Sequence, residues 1–133
     1  MDMKLLYFNS KQNIEIQHLT DEDVLILKFR GDVSHYDYMK GFDKLYHYYR
    51  MYENFRLVLD YQELGDVSIA SRIWFILHFA PKLYHPAIKT AIVTYSIANR
   101  IILQTIGEEL IERGYPINIR QFDSMTTALN WFV

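Results

Sequence analysis

The groups in this chain with chemistry to offer are five histidines, a carboxylate that closes a buried apolar run, and serines at the starts of helices. Asp43 and His47 lie four residues apart, on one helix face, and most simply make an exposed contact. The histidines (His18, His35, His47, His78 and His85) do not fall at metal-ligand spacing. Asp60 follows Leu57, Val58 and Leu59 at a strand end, where α/β proteins often hold functional carboxylates. Acid–base catalysis needs a positioned pair or a tuned pKa, and the sequence places no base or nucleophile beside it. There is no Gly-rich phosphate loop, no Gly-x-Ser-x-Gly elbow and no His-Glu-x-x-His. Arg30-Gly31-Asp32 is a strand-end turn. The absence of cysteine excludes disulfides, thiolate catalysis and Cys-based metal sites. The expectation is a chain that is not an enzyme and holds no cofactor and no metal.

The serines are more informative. Gly-Asp-Val-Ser occurs at 31–34 and again at 65–68, each time after a strand and before a helix. Glycine permits the tight turn and serine caps the first free N–H groups. Ser96 and Ser124 stand at the other two helix starts. Ser68 has a second reading, because open α/β sheets gather functional groups where strands end and helices begin. A helix N-terminus favours an anion, including a phosphate on its own cap serine. Asp66, two residues earlier, would repel that phosphate.

These residues need elements to place them. Residues 13–18 alternate apolar and polar, as a half-buried strand does. A polar turn at Thr20–Asp23 leads to a second strand at 24–29, so the pair reads as an antiparallel hairpin. Lys4–Phe8 can add an edge strand. A helix follows from Ser34 to Tyr52, with Tyr38, Phe42, Leu45, Tyr49 and Tyr52 on one stripe. Then come a buried strand at Arg56–Tyr61, a helix at Ser68–Ala80, and a strand at 90–95. A helix at Ile97–Arg113 follows, with Ile102, Leu103, Ile106 and Leu110 as its core stripe and Ile101 outside. It stops at Gly114. Ile117–Phe122 is the last strand and Met125–Phe132 a closing helix. Pro81, Pro86 and Pro116 fall between elements. The order predicts one α/β domain over 1–133: a single mixed sheet, a hairpin followed by parallel strands, flanked by about four helices. Crossovers should be right-handed.

The helix at 69–80 is apolar nearly all round. At roughly 100° per residue, Ile69, Ala70, Ile73, Ile76, Leu77 and Ala80 share a face expected to pack on the sheet. Trp74, Phe75 and Phe79, with His78 among them, then project from other sides. Either another part of the chain covers these aromatics or they are an interface for a protein partner or a second copy.

Bulk properties narrow the partners. The chain has 133 residues, enough for one core, with 50% apolar and 23% charged residues. Eleven tyrosines and eight phenylalanines predict an aromatic core. The net charge of −2, with no basic run, argues against nucleic acid. No apolar run approaches the ~20 residues of a membrane span. The opening Met-Asp-Met-Lys-Leu-Leu lacks the order of a signal peptide, so a cytoplasmic location is expected.

The segments Leu27–Ser34, Arg56–Asp60, Thr90–Thr94, and Ile119–Asp123 followed by Ala128-Leu129-Asn130-Trp131 resemble those of STAS domains, in particular the SpoIIAA-like (STAS/SEC14-related) small bacterial proteins. The resemblance covers about residues 14 to 133. It implies a non-enzymatic protein-interaction module in signalling, whose partner surface is the helix after the strand ending in Asp60. In some such domains a serine at the start of that helix is phosphorylated. Ser68 is the nearest positional match and Ser71 the next, although the Asp-Ser-x-Gly pattern is missing here. An alternative is a small apolar, lipid-like ligand held by the Tyr/Phe-rich helix 34–52.

Overall fold

The structure is a computed structural model that describes residues 2–52, 56–83, 88–95, 97–114 and 118–133. The side chains of 83, 97–100, 102, 103, 106 and 110 lie outside the description. Ser96, His85, Pro86, Pro116 and the predicted stripe of Ile102, Leu103, Ile106 and Leu110 therefore lie outside the described residues.

Among the described residues six strands form one sheet in the order of the chain: β1 (Met3–Phe8), β2 (Ile14–Leu19), β3 (Val24–Gly31), β4 (Arg56–Leu64), β5 (Lys89–Val93) and β6 (Asn118–Phe122). The first three are antiparallel neighbours and the last four run parallel. The hairpin, the edge strand and the parallel remainder stand as the sequence predicts. Helix α1 (His35–Tyr52) links β3 to β4, α2 (Ile69–Trp74) follows β4, α3 (Ile97–Glu112) links β5 to β6, and α4 (Met125–Trp131) closes the chain.

Two cores lie on the two faces of the sheet. Every second residue of a strand faces the same way. Ile14, Ile16, Leu25, Leu27, Phe29, Leu57 and Leu59 pack with Tyr38, Phe42 and Leu45 of α1 and with Phe75 and Phe79. Leu19, Val24, Ile26, Val58, Ala91 and Val93 pack on the opposite face with Ala128 and Phe132. Helix α1 lies close on β3: a side chain on Gly41 would meet the Phe29 ring at about 3.0 Å. Serine caps are present at three helix starts, with Ser34, Ser68 and Ser124 oxygens accepting the N–H groups of Asp37, Ser71 and Thr127.

The segment after β4 departs from expectation. Helix α2 is only six residues long and continues as a π-helical turn at Phe75–Phe79 and a 3₁₀ turn at Ala80–Leu83. The orientation is also the reverse of that predicted. Phe75 and Phe79 are buried in the first core and Trp74 is half-buried against it, while Ile69 (72% exposed), Ile73 (50%) and Leu77 (50%) face outward. His78 is exposed, Ile76 is half-buried and Ala80 is buried, whereas Ala70 is exposed. Two causes combine. The rings find partners that aliphatics cannot match: Phe42 lies 5.3 Å from Phe75, 4.6 Å from Phe79 and 6.0 Å from Trp74. Ser71, one turn before Phe75 in the same column, is also held inward by its hydrogen bond with His35 Nδ1 at 2.9 Å.

Candidate functional site at the strand ends

The two Gly-Asp-Val-Ser segments, 34 residues apart in sequence, meet at the C-terminal ends of β3 and β4. The Gly65 N–H donates to the Gly31 carbonyl at 2.8 Å, and the Asp66 N–H donates to Asp32 Oδ1 at 3.0 Å. A Cβ on Gly65 would collide with the Asp32 carboxylate and sit about 3.1 Å from the Gly31 carbonyl carbon. Glycine at 65 is therefore favoured by close approach, since a methyl group there would displace the Asp32 carboxylate and press on the Gly31 backbone. Gly31 is required by its backbone, with φ of +67°.

From this junction a hydrogen-bonded chain runs inward. The Ser68 side chain accepts the Ser71 N–H at 3.1 Å, and its hydroxyl donates to Ser71 Oγ at 2.9 Å. Ser71 Oγ lies 2.9 Å from His35 Nδ1, on the first turn of α1. His35 is the functional-site residue that sequence reasoning missed; no local spacing announces a contact across 36 positions. Ser71 is fully buried. Its hydroxyl bridges Ser68 and His35, so the Ser–His pair ties α1 to α2 and orients Ser68. Ser68 is exposed at the mouth of the same chain. Of the two candidate serines, Ser68 is an exposed residue and Ser71 a buried one.

Asp60 does not join this group. Its pairing row, Glu15–Lys28–Asp60–Val93, lies on the α4 face of the sheet, whereas its neighbour Tyr61 points to the α1 face and meets Tyr38 Oη at 3.2 Å. Asp60 is buried and Oδ1 accepts the Gln62 N–H at 3.1 Å. Burial raises its carboxyl above the usual range, and the Gln62 N–H and Lys28 offset only part of that. Nearby, Lys28 Nζ pairs with Glu63 at 2.7 Å and Arg30 Nη2 with Glu15 at 3.4 Å.

The remaining histidines are dispersed. His18 pairs with Asp23 at 3.1 Å and packs on Tyr52; Asp43 and His47 stand on the solvent face of α1. Among the described residues no group of three His, Cys, Asp or Glu could hold a metal ion. No helix among them is long and apolar enough to cross a membrane.

The exposed ridge Ile69–Ile73–Leu77 starts one residue after Ser68. Ile73, Ile76 and Leu77 form one wall of an open cleft of about 400 Å³, and Thr105 and Glu109 of α3, with Arg113 just beyond its end, form the other. The aromatic stripe of α1 is filled by its own neighbours. The Phe42 ring has those of Phe29 and Tyr38 at 5.7 and 4.8 Å, besides the three rings from the α2 segment.

No protein-family model matches the chain, and no curated protein matches it. Among solved structures, it is similar to an uncharacterised protein of the DUF3478 family with a SpoIIAA-like fold, from Shewanella loihica PV-4. The two share 21% sequence identity over 90% of this chain and 92% of that one, with a TM-score of 0.58. The class defined by the fold is thus a mixed-sheet α/β domain. More particularly, it is a SpoIIAA-like fold, as the resemblance in sequence implies.

Proposed function

We propose that this chain is a non-enzymatic, STAS-like protein-interaction domain that acts in bacterial signalling. It docks a protein, a second copy of itself included, through the outer side of residues 69–80. The observation that carries the reading is the ridge of Ile69, Ile73 and Leu77, exposed on a segment whose opposite column is sealed into the core. Aliphatic side chains that open on a cleft are a common form of protein-binding surface. The interface assigned by sequence to Trp74, Phe75, His78 and Phe79 thus moves one column around the helix. Only His78 of that set remains fully on the outside.

Ser68 supplies the regulation. A phosphate there adds roughly −1.5 to −2 charges beside Ile69, in a corner that already holds Asp32 and Asp66. That charge disfavours an apolar partner on the ridge. Sedimentation velocity over a range of concentrations, with a pull-down in parallel, tests the reading on wild type and Ile73→Glu. The wild type should associate or capture a partner, and Ile73→Glu should lose this while keeping its circular dichroism. A wild type that stays monomeric and captures nothing, with an identically behaving variant, would overturn it.

A further inference from the structure

We propose that the outer edge of β1 is a second interaction surface, which takes an extended peptide carrying an acidic residue between two apolar ones. The register fixes which backbone groups are available. Thr20 N–H donates to the Asp2 carbonyl, and Lys4 is paired with His18, so Asp2 and Lys4 turn their backbone groups toward β2. Hydrogen-bonding direction alternates along an antiparallel strand. Met3 and Leu5 therefore direct their N–H and C=O groups away from the sheet, where β1 has no neighbour among the described residues. A register shift between Leu5 and Tyr7 ends this stretch, and the Leu6 carbonyl there accepts the Tyr48 hydroxyl at 2.9 Å.

The side chains define the partner. Met3 and Leu5 are 57% and 55% exposed and continue the pairing rows of Leu19–Val24 and Gln17–Ile26, on the α4 face. Apolar residues of an added strand would lie beside them. Lys4, between them, is exposed on the other face, where farther along β1 the Lys44 ammonium lies 5.5 Å from the Tyr7 ring centre. The residue of an added strand opposite Lys4 is therefore acidic, since cross-strand opposite charges stabilise and like charges repel. The same charge argues against a second copy. A two-fold pairing of Met3 with Leu5 would set Lys4 against its own counterpart, a known safeguard of edge strands. Main-chain hydrogen bonds would give the affinity and the alternating side chains the specificity.

The test is a titration of the uniformly ¹⁵N-labelled protein with the end-capped peptide Thr-Val-Glu-Val-Thr, and separately with its Lys counterpart. The Glu peptide should shift the amides of residues 2–6 and bind about tenfold more tightly than the Lys peptide, the size expected for exchanging an opposite for a like cross-strand charge. Lys4→Glu should reverse that order, and Ile73→Glu should leave it unchanged, because the ridge is a separate surface. Equal affinity for both peptides, shifts centred on residues 69–77, or no shifts at all would overturn the proposal. So would concentration-dependent shifts of residues 2–6 without peptide, which would make the occupant a second copy.

Discussion

Phe75→Ala and Ile73→Ala should separate sharply, because two residues along one helical segment have opposite environments. Phe75 is buried against Phe42 and Phe79, with ring centres at 5.3 and 5.6 Å. Removing such a ring costs about 3–5 kcal/mol, as lost transfer energy plus the cavity left behind. Ile73 is half exposed, so truncating it forfeits only part of the transfer energy of an isoleucine, about 1 kcal/mol or less. For a domain of this length about 1 kcal/mol moves Tm by roughly 3–5 °C, so Phe75→Ala should melt some 10–20 °C lower and Ile73→Ala within about 5 °C of wild type. Urea unfolding followed by circular dichroism at dilute protein checks the same ordering through the midpoints. Equal losses, or a larger loss for Ile73→Ala, would refute the orientation of the segment and the ridge with it.

Other outcomes follow from the same geometry. Gly65→Ala should cost about 1–3 kcal/mol by overpacking against Asp32 and the Gly31 backbone, and Asp32→Ala in the same chain should recover part of it in urea melts. Ser68→Ala should cost about 1 kcal/mol as a lost helix cap, while phosphate mapping by mass spectrometry after kinase treatment of the folded protein should find Ser68 modified and Ser71 untouched. The buried Asp60 carboxyl titrates above its unfolded value, so its favourable share of stability is complete below about pH 4 and is lost as pH rises through the higher folded pKa. Asp60→Asn should flatten the urea midpoint across that mildly acidic range. Asp37 has the opposite sign. The hydrogen bond from Lys11 at 3.0 Å holds its pKa low, so its share is present above the unfolded value and is lost as pH falls through the folded one. Lys11→Ala should remove most of that acid-side loss.

Much of the architecture was legible in the chain because it is written locally. Alternation at 13–18, the turn at Thr20–Asp23 and the continuous run Leu57–Leu59 each report the burial of their own strand, and the spacing of Tyr38, Phe42 and Leu45 reports the inner face of α1. The α2 segment was illegible for a specific reason. Large apolar residues stand on every side of it, so hydrophobicity could not choose which side goes inward, and the choice fell to ring partners on α1 that lie far away in sequence. The candidate site was half legible. Ser68 showed itself as a cap after Gly-Asp-Val, but nothing local foretold that its twin segment would lie alongside or that His35 would meet Ser71. Those are products of parallel pairing between β3 and β4, which places both strand ends together.

The measurement that bears most directly on the central claim is photo-crosslinking in the native cell, with a benzophenone side chain at position 73 and, as a control, at position 47 on the solvent face of α1. Position 73 should yield a discrete protein adduct, a second copy or another chain, and position 47 none. No adduct at 73, or equal adducts at both positions, would contradict it.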